Sequence, residues 1–283
     1  MPAGALGGAP PSRVSLVQLA TLFGGLGLLL GYAYARSTEA RGSRLPAPCD
    51  APRLAALSAK ASALRLALGE LSCETRGIGP TGGFCLKEGE VEVGGNQAID
   101  LAVAAGFGRL LAGKSVTNFG AGLGQYERYF DSLAADAPRP ASSWACDGAE
   151  NINKFAYTRG DGTPYVSWCD LTEPVEGAPI SDYVMSIEVA EHIPPSHVGA
   201  FVQNVVSHAR TGILLSWAKP EQGGHFHVNP KEPNEMAAVF AAEGWVVDEG
   251  VTASLRALAA PEKEGGKTEW LGWSLFVLRR AGA

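Results

Sequence analysis

VTNFGAGLGQYERYF, residues 116–130, reads as a buried strand, a glycine turn at Gly120, Gly122 and Gly124, and the start of a helix. Glycine suits such a turn because it takes positive φ without a steric penalty and lets a ligand come close to the backbone. The dinucleotide fingerprint GxGxxG needs a further glycine at position 125, where this chain has Gln125, so an NAD enzyme is disfavoured. Taken alone, the turn fits a ligand cradle and a purely structural corner equally well.

The flanking sequence separates these two readings. From about Asn96 onward, apolar runs of strand length alternate with helix-like segments: SVTNF, SSWAC, YVSWC, DYVMSI, GILLSW and finally LGWSLFVL. That alternation predicts an α/β fold, a mainly parallel sheet with helices on both faces. In SSWACDGAENI, Asp147 follows the second strand, about where a ribose would lie, and a carboxylate there accepts hydrogen bonds from both vicinal hydroxyls. YVSWCDLTEP puts Asp170 after the third strand, and DYVMSIEVAEHIPP delivers Glu188, Glu191 and His192 after the fourth. GGHFHVNP then brings His225 and His227 after the fifth. An isolated Asp is more often a helix cap or a solvated loop residue. Here polar residues recur at the C-terminal ends of successive strands, where open α/β sheets bind their ligands.

Over roughly Asn96 to the C-terminus the chain resembles the class I S-adenosylmethionine-dependent methyltransferases. GAGLG looks like their first motif, Asp147 like the ribose acid, Asp170 like the residue beside the adenine, and SIEVAEHIP like their fourth motif. WLGWSLFVLRR is similar to the hairpin strand that closes the fold. The resemblance implies a Rossmann-like seven-stranded sheet and S-adenosyl-L-methionine as cofactor. It implies cofactor contacts from Asn118, Gly120, Ala121, Gly122, Gly124, Asp147, Gly148, Asp170, Leu171 and Glu188. One residue departs from the pattern: Asn118 stands where the family usually has Asp or Glu, and an amide lacks the charge that attracts a cationic cofactor. DGAENI, DLTEP and GGHFHVN also look like a eukaryotic subgroup of membrane-associated or secreted methyltransferase-like proteins, which supplies no substrate.

E-V-x-E-H with a downstream His resembles metal-dependent small-RNA 2′-O-methyltransferases and ubiquinone-pathway O-methyltransferases. That likeness implies Mg²⁺ or Mn²⁺ on Glu188, Glu191, His192 and His227, with O-methylation of a small hydroxylated acceptor: a diol, a sugar or a phenol. His227, His192 and Glu191 are the catalytic candidates. The competing reading makes Glu191 a helix cap, His192 a packing residue and His227 a lone base. Trp217 is either an acceptor wall or a buried strand-end aromatic. A rival from another class is a catalytically silent methyltransferase-like binding module at a membrane, with Asn118 as its first sign.

The N-terminal third reads differently. Residues 14–34, VSLVQLATLFGGLGLLLGYAY, carry no charge and as a helix would span about 31 Å, the thickness of a bilayer's hydrocarbon core. A cleaved signal peptide is the rival, but its apolar region is shorter. The expectation is therefore a tail over 1–13, a transmembrane helix over 14–34, a stem or linker over 35–95 and a methyltransferase domain over 96–283. The expected address is a single-pass endomembrane protein of the ER or Golgi. Arg36, Arg41 and Arg44 after the span point the domain to the cytoplasm by the positive-inside rule. Cys73 and Cys85 bracket a glycine-rich loop, and a disulfide there would point it to a lumen; two unlinked thiols fit equally well. The five cysteines are too widely spaced for a paired CxxC zinc site.

Leu54, Leu57, Ala61, Leu64, Leu68 and Leu71 repeat at steps of three and four, predicting a helix over 53–72. The run is too short for a convincing coiled coil, so a stem helix packed on its own domain is expected. A homodimer through this helix, or through the Gly27 and Gly31 pair, stays open. With 29 acidic against 23 basic residues the chain offers no extended cationic surface, so no nucleic-acid partner is expected.

Overall fold

The computed structural model describes residues 51–76, 79, 83, 85, 99–224, 226–259 and 269–282. Two compact units divide the chain, Met1–Ser62 and Ala63–Ala283. The span expected at 14–34 lies outside the described residues, and among those described no helix is long and apolar enough to cross a membrane.

Seven strands build one mixed sheet: β1 (Ser115–Phe119), β2 (Ser142–Asp147), β3 (Val166–Trp168), β4 (Ser181–Ser186), β5 (Ala209–Ser216), β6 (Trp245–Val247) and β7 (Leu275–Arg280). Their order is β3-β2-β1-β4-β5-β7-β6. β1 to β5 run parallel, whereas β7 lies antiparallel to both β5 and β6. This is the methyltransferase-like sheet that the resemblance implied. The chain winds outward from β1 through β2 to β3, then returns to lay β4 on the other side of β1. That reversal makes the carboxyl ends of β1 and β4 the switch point of the strand order, the place where such sheets take ligands.

The strands are apolar on both faces because both faces are covered. Val184, Ile213, Leu215, Phe276 and Leu278 point into one core, with Phe201 and Val205 of α4 (Val198–His208) and Met236 and Phe240 of α5 (Pro233–Ala241). Their neighbours Met185, Leu214, Leu275 and Val277 point into the other. There they meet Val103 and Phe107 of α2 (Leu101–Leu110), Phe130 of α3 (Gln125–Ser132) and Leu255 of α6 (Glu249–Arg256). Strict alternation along β4, β5 and β7 thus feeds two cores from one sheet. Asp100 starts α2 by accepting from the N–H groups of Ala102 and Val103 at 2.8 and 3.2 Å.

Three expectations need revision. The strand β6 was not among the quoted runs, since WVV is three residues long and its Trp245 is wholly buried under the α5 side of the sheet. LGWS, read as part of the last strand, forms a helical turn, Leu271–Ser274, before the strand begins at Leu275. The stem helix α1 runs Ala51–Arg76, longer than expected, and Leu57, Leu64, Leu68 and Leu71 are exposed on it. Leu64, Leu68 and Leu71 therefore do not pack on the unit Ala63–Ala283 to which they belong. Within the unit Ala63–Ala283, Gly69 makes the close approach instead: a Cβ there would overlap the Glu150 side chain. Cys73 and Cys85 are bonded, and Gly83 in the loop they close lies against the backbone of Gly148 and Ala149.

Candidate functional site

Three positive-φ glycines shape the turn after β1: Gly120 at 76°, Gly122 at 56° and Gly124 at 85°. Two of them are also sterically required. A Cβ on Gly120 would overlap Val189 from the β4 tip, and one on Gly124 would press on Tyr165. The Gly120 contact brings the β4 loop, residues 188–192, onto the glycine turn.

Asp147 ends β2 next door. Its Oδ2 accepts from the Gly122 N–H at 2.7 Å and its Oδ1 from the Ala149 N–H at 2.8 Å, while the N–H groups of Gly120 and Ala121 both reach the Cys146 carbonyl. The turn and the carboxylate thus converge from neighbouring strand tips. Burial pushes the Asp147 carboxyl up, and the N–H groups of Ala149 and Gly122 oppose that. Each oxygen uses one of its two acceptor sites on these backbone N–H groups.

Asp170 stands one tip further out, beyond β3. Its Oδ1 is held by the N–H and hydroxyl of Thr172 at 2.8 and 2.6 Å, and Leu171 beside it is buried. A disulfide joins Cys146 to Cys169, the residues immediately before Asp147 and Asp170. Sequence reasoning overlooked that bond, since 23 residues separate its cysteines and only the β2–β3 pairing brings them together.

Asn118 is 2% exposed and its Nδ2 donates to Glu127 Oε1 at 2.8 Å, so this amide is tied to a carboxylate on α3. Ser143 Oγ adds a second donor to the same oxygen at 3.1 Å, and Oε2 of Glu127 is buried with no hydrogen-bond partner. Burial raises the Glu127 carboxyl, opposed by the Asn118 bond, its own backbone N–H, the Ser143 bond and more distantly Arg159. Nothing in the local sequence marked Glu127.

Beyond β4 the backbone is strained at Glu188, whose φ is 58° although it is not glycine. Ser216 Oγ donates to Glu188 Oε1 at 2.7 Å, Ser274 Oγ to the same oxygen at 3.3 Å and Gln222 Nε2 to Oε2 at 3.1 Å. Gln222 in turn accepts from Trp273 Nε1 at 3.2 Å. Glu188 is thereby turned toward β5 and the start of β7. Burial raises its carboxyl, and these three bonds oppose the rise.

Glu191 is wholly buried, and neither carboxylate oxygen makes a hydrogen bond of normal geometry. Burial first, and the nearby Glu188 charge second, push its carboxyl well above the usual range; its own N–H and that of Ala218 oppose weakly. His192 Nε2 and His227 Nε2 each stand 4.0 Å from Glu191 Oε1. The loop carrying His227 is fastened by N–H bonds from Val228 and Asn229 to the Glu191 carbonyl at 3.0 and 2.9 Å. His192 Nδ1 lies 3.2 Å from the carbonyl of Phe226, a bond that requires Nδ1–H. Burial lowers the His227 pKa, favouring its neutral form.

Among the described residues, Glu191, His192 and His227 are the set whose ligand atoms converge closely enough for a metal, all lying within 4.8 Å of one another. Two ligands each about 2.2 Å from an ion are at most about 4.4 Å apart, so slight closure suffices. Glu188, expected as a fourth ligand, is outside this set because its oxygens are engaged by Ser216, Ser274 and Gln222. Trp217 is 1% exposed with its Nε1 donating to the Asn229 carbonyl at 2.7 Å, so it fills the core and forms no wall. His225 lies outside the described residues.

No family model and no curated protein matches the sequence. Solved structures of similar fold include the magnesium protoporphyrin IX methyltransferase of Synechocystis PCC 6803 with bound S-adenosylmethionine. It is 19% identical, covers 58% of this chain and 77% of that one, and gives a TM-score of 0.41. A 1,6-didemethyltoxoflavin-N1-methyltransferase from Burkholderia thailandensis, solved with its acceptor and S-adenosylhomocysteine, is 14% identical over 85% of this chain and 93% of that one, at 0.42. An amino pentose methyltransferase from Micromonospora echinaspora is 16% identical over 64% and 89%, at 0.43. The strand order and the antiparallel β7 of this chain are those of the sheet that the resemblance implied.

Proposed function

We propose that the chain is an S-adenosylmethionine-dependent methyltransferase acting on an oxygen of a small hydroxylated acceptor, a diol, sugar or phenol. One observation carries this reading. The Gly122 N–H and the Asp147 carboxylate meet at 2.7 Å between the tips of β1 and β2, beside the point where the strand order reverses from β1 to β4. A glycine-rich turn with a carboxylate beside it fits an adenosyl group, with Asp147 for the ribose hydroxyls and the Asp170–Leu171 segment for the adenine edge. When bound, the cofactor supplies a methyl carbon on a positively charged sulfur, open to in-line attack. The chain's part is then to align an acceptor oxygen and exclude water.

The Glu191, His192 and His227 set supports a divalent ion beside that switch point. A buried carboxylate and two imidazoles whose ligand atoms converge suit Mn²⁺ better than Mg²⁺. Such an ion would supply charge to hold vicinal hydroxyls of the acceptor. The Phe226 carbonyl keeps His192 in the tautomer that offers Nε2. In the absence of an ion, His227, neutral through burial, is the residue to receive the acceptor's proton at Nε2.

The proposal extends to a membrane anchor at 14–34 and to a catalytic domain on the lumenal side of an endomembrane. Two disulfides within the unit Ala63–Ala283 support the lumen over the cytoplasm, where thiols are kept reduced.

The test is calorimetric titration of the full chain in detergent with S-adenosylhomocysteine, followed by labelled-methyl transfer to sugar and phenol acceptors with and without EDTA. Micromolar binding and EDTA-sensitive transfer are expected. A folded protein that does not bind is the silent binding module instead; transfer indifferent to EDTA but lost in His227→Ala replaces the ion with a base.

A further inference from the structure

The strand tips form a row, and each carries its own kind of polar group. Asp170 stands beyond β3, Asp147 at the end of β2, the glycine turn beyond β1 and the Glu188–His192 loop beyond β4. On the cofactor reading above, adenine and ribose occupy the β3 and β2 tips. The remainder of the molecule, the sulfur and its amino-acid chain, then continues over β1. The ammonium of that chain needs an anion, and the residue next to the end of β1 is the neutral Asn118.

The structure supplies an anion beside it. Glu127 lies in the first turn of α3, the helix that follows the N-cap Gly124, and is 2% exposed. Its Oε1 binds the Asn118 amide N–H at 2.8 Å and the Ser143 hydroxyl at 3.1 Å. This leaves the second oxygen buried and without a partner. A carboxylate accepting from Nδ2 fixes which way the Asn118 amide faces, so that Oδ1 is the end offered elsewhere. Burying a carboxylate this way is costly unless a cation or further donors offset it, and Arg159 acts on it only from a distance.

We propose that Glu127, acting through Asn118, is the anionic counterpart of the cofactor's amino-acid ammonium. It replaces the strand carboxylate that this chain lacks. Asn118 is the contacting group, its Oδ1 turned to the ammonium by the bond its Nδ2 gives to Glu127. Glu127 is a positioning residue that supplies the negative charge from one residue further back. The inference rests on the methyltransferase reading and deepens it: the site binds the whole amino-acid cofactor, and a bare nucleoside forgoes this contact.

Two ligands separate the role from general stability. S-adenosylhomocysteine carries the ammonium, whereas 5′-methylthioadenosine has the same adenosine and thioether without it. Calorimetry on the full chain should show Glu127→Gln weakening S-adenosylhomocysteine about tenfold, the usual size for a charge-assisted contact. 5′-Methylthioadenosine should shift by less than about twofold. Returning the charge to the strand, in the double variant Asn118→Asp with Glu127→Gln, should recover S-adenosylhomocysteine affinity. Equal weakening of both ligands, or no weakening of either, overturns the assignment, as does a double variant no better than Glu127→Gln. A wild-type chain that binds neither ligand overturns the cofactor reading itself, and this inference with it.

Discussion

Glu191 is a wholly buried carboxylate with the Glu188 charge nearby, a condition that a protein interior tolerates only for a neutral group or one awaiting a cation. Glu191→Gln is accordingly expected to leave the protein at least as stable at neutral pH, while abolishing Mn²⁺ binding followed by calorimetry. A drop in melting temperature with unchanged Mn²⁺ binding would count against the ion site. Glu127 gives a second prediction, in the ligand-free state. Its carboxyl is raised on folding, so the folded chain holds that proton more tightly than the unfolded one. Its contribution to stability is then full below about pH 4.3, the unfolded value, and is lost as pH rises through the higher folded value. Glu127→Gln should flatten that slope in a melting-temperature profile measured from pH 4 to 8. These two acids also show unequal legibility. Glu191 and His192 stood out in the chain because E-V-x-E-H is a compact pattern. Glu127 did not, because a Glu in the first turn of a helix is ordinary, and only the fold sets it against Asn118.

The elements divide in the same way. The glycine turn was legible because positive φ leaves a local mark in the choice of residue, and its partner Val189 was not, because that contact crosses between strand tips. Gly120→Ala should therefore fail twice, through backbone strain and through overlap with Val189. The expected result is a cooperative melt at markedly lower temperature with no S-adenosylhomocysteine binding; wild-type affinity would refute the close packing. At β5, Leu214→Ala opens a cavity between the sheet and its helices and should cost about 3 kcal/mol in urea unfolding. Strand β6 escaped sequence reading because three residues carry too little periodicity, and it is β7 that holds it in the sheet. The Cys146–Cys169 bond ties together the tips that carry Asp147 and Asp170. Replacing both cysteines with serine should lower stability by about 3 kcal/mol in denaturant unfolding and loosen adenosine binding as well. Lost stability with unchanged affinity would confine the bond to a structural role.

At the scale of the whole molecule, the proposed placement in a lumen joins the disulfides to the apolar stretch at 14–34. Full chain expressed in cells should resist carbonate extraction from membranes and be shielded from added protease until the membrane is opened; release by carbonate would remove the anchor. The sequence by itself determined that the chain would alternate strands with helices, end its strands in polar residues and turn on glycines. Those properties follow from period, side-chain size and backbone freedom within a few residues of one another. Only the tertiary structure decided which of those strand-end residues meet. It turned Glu188 toward Ser216 and Ser274, gathered Glu191 with His192 and His227, and set Glu127 behind Asn118. Convergence depends on strand order and on where each loop returns, distances that no local stretch of sequence contains.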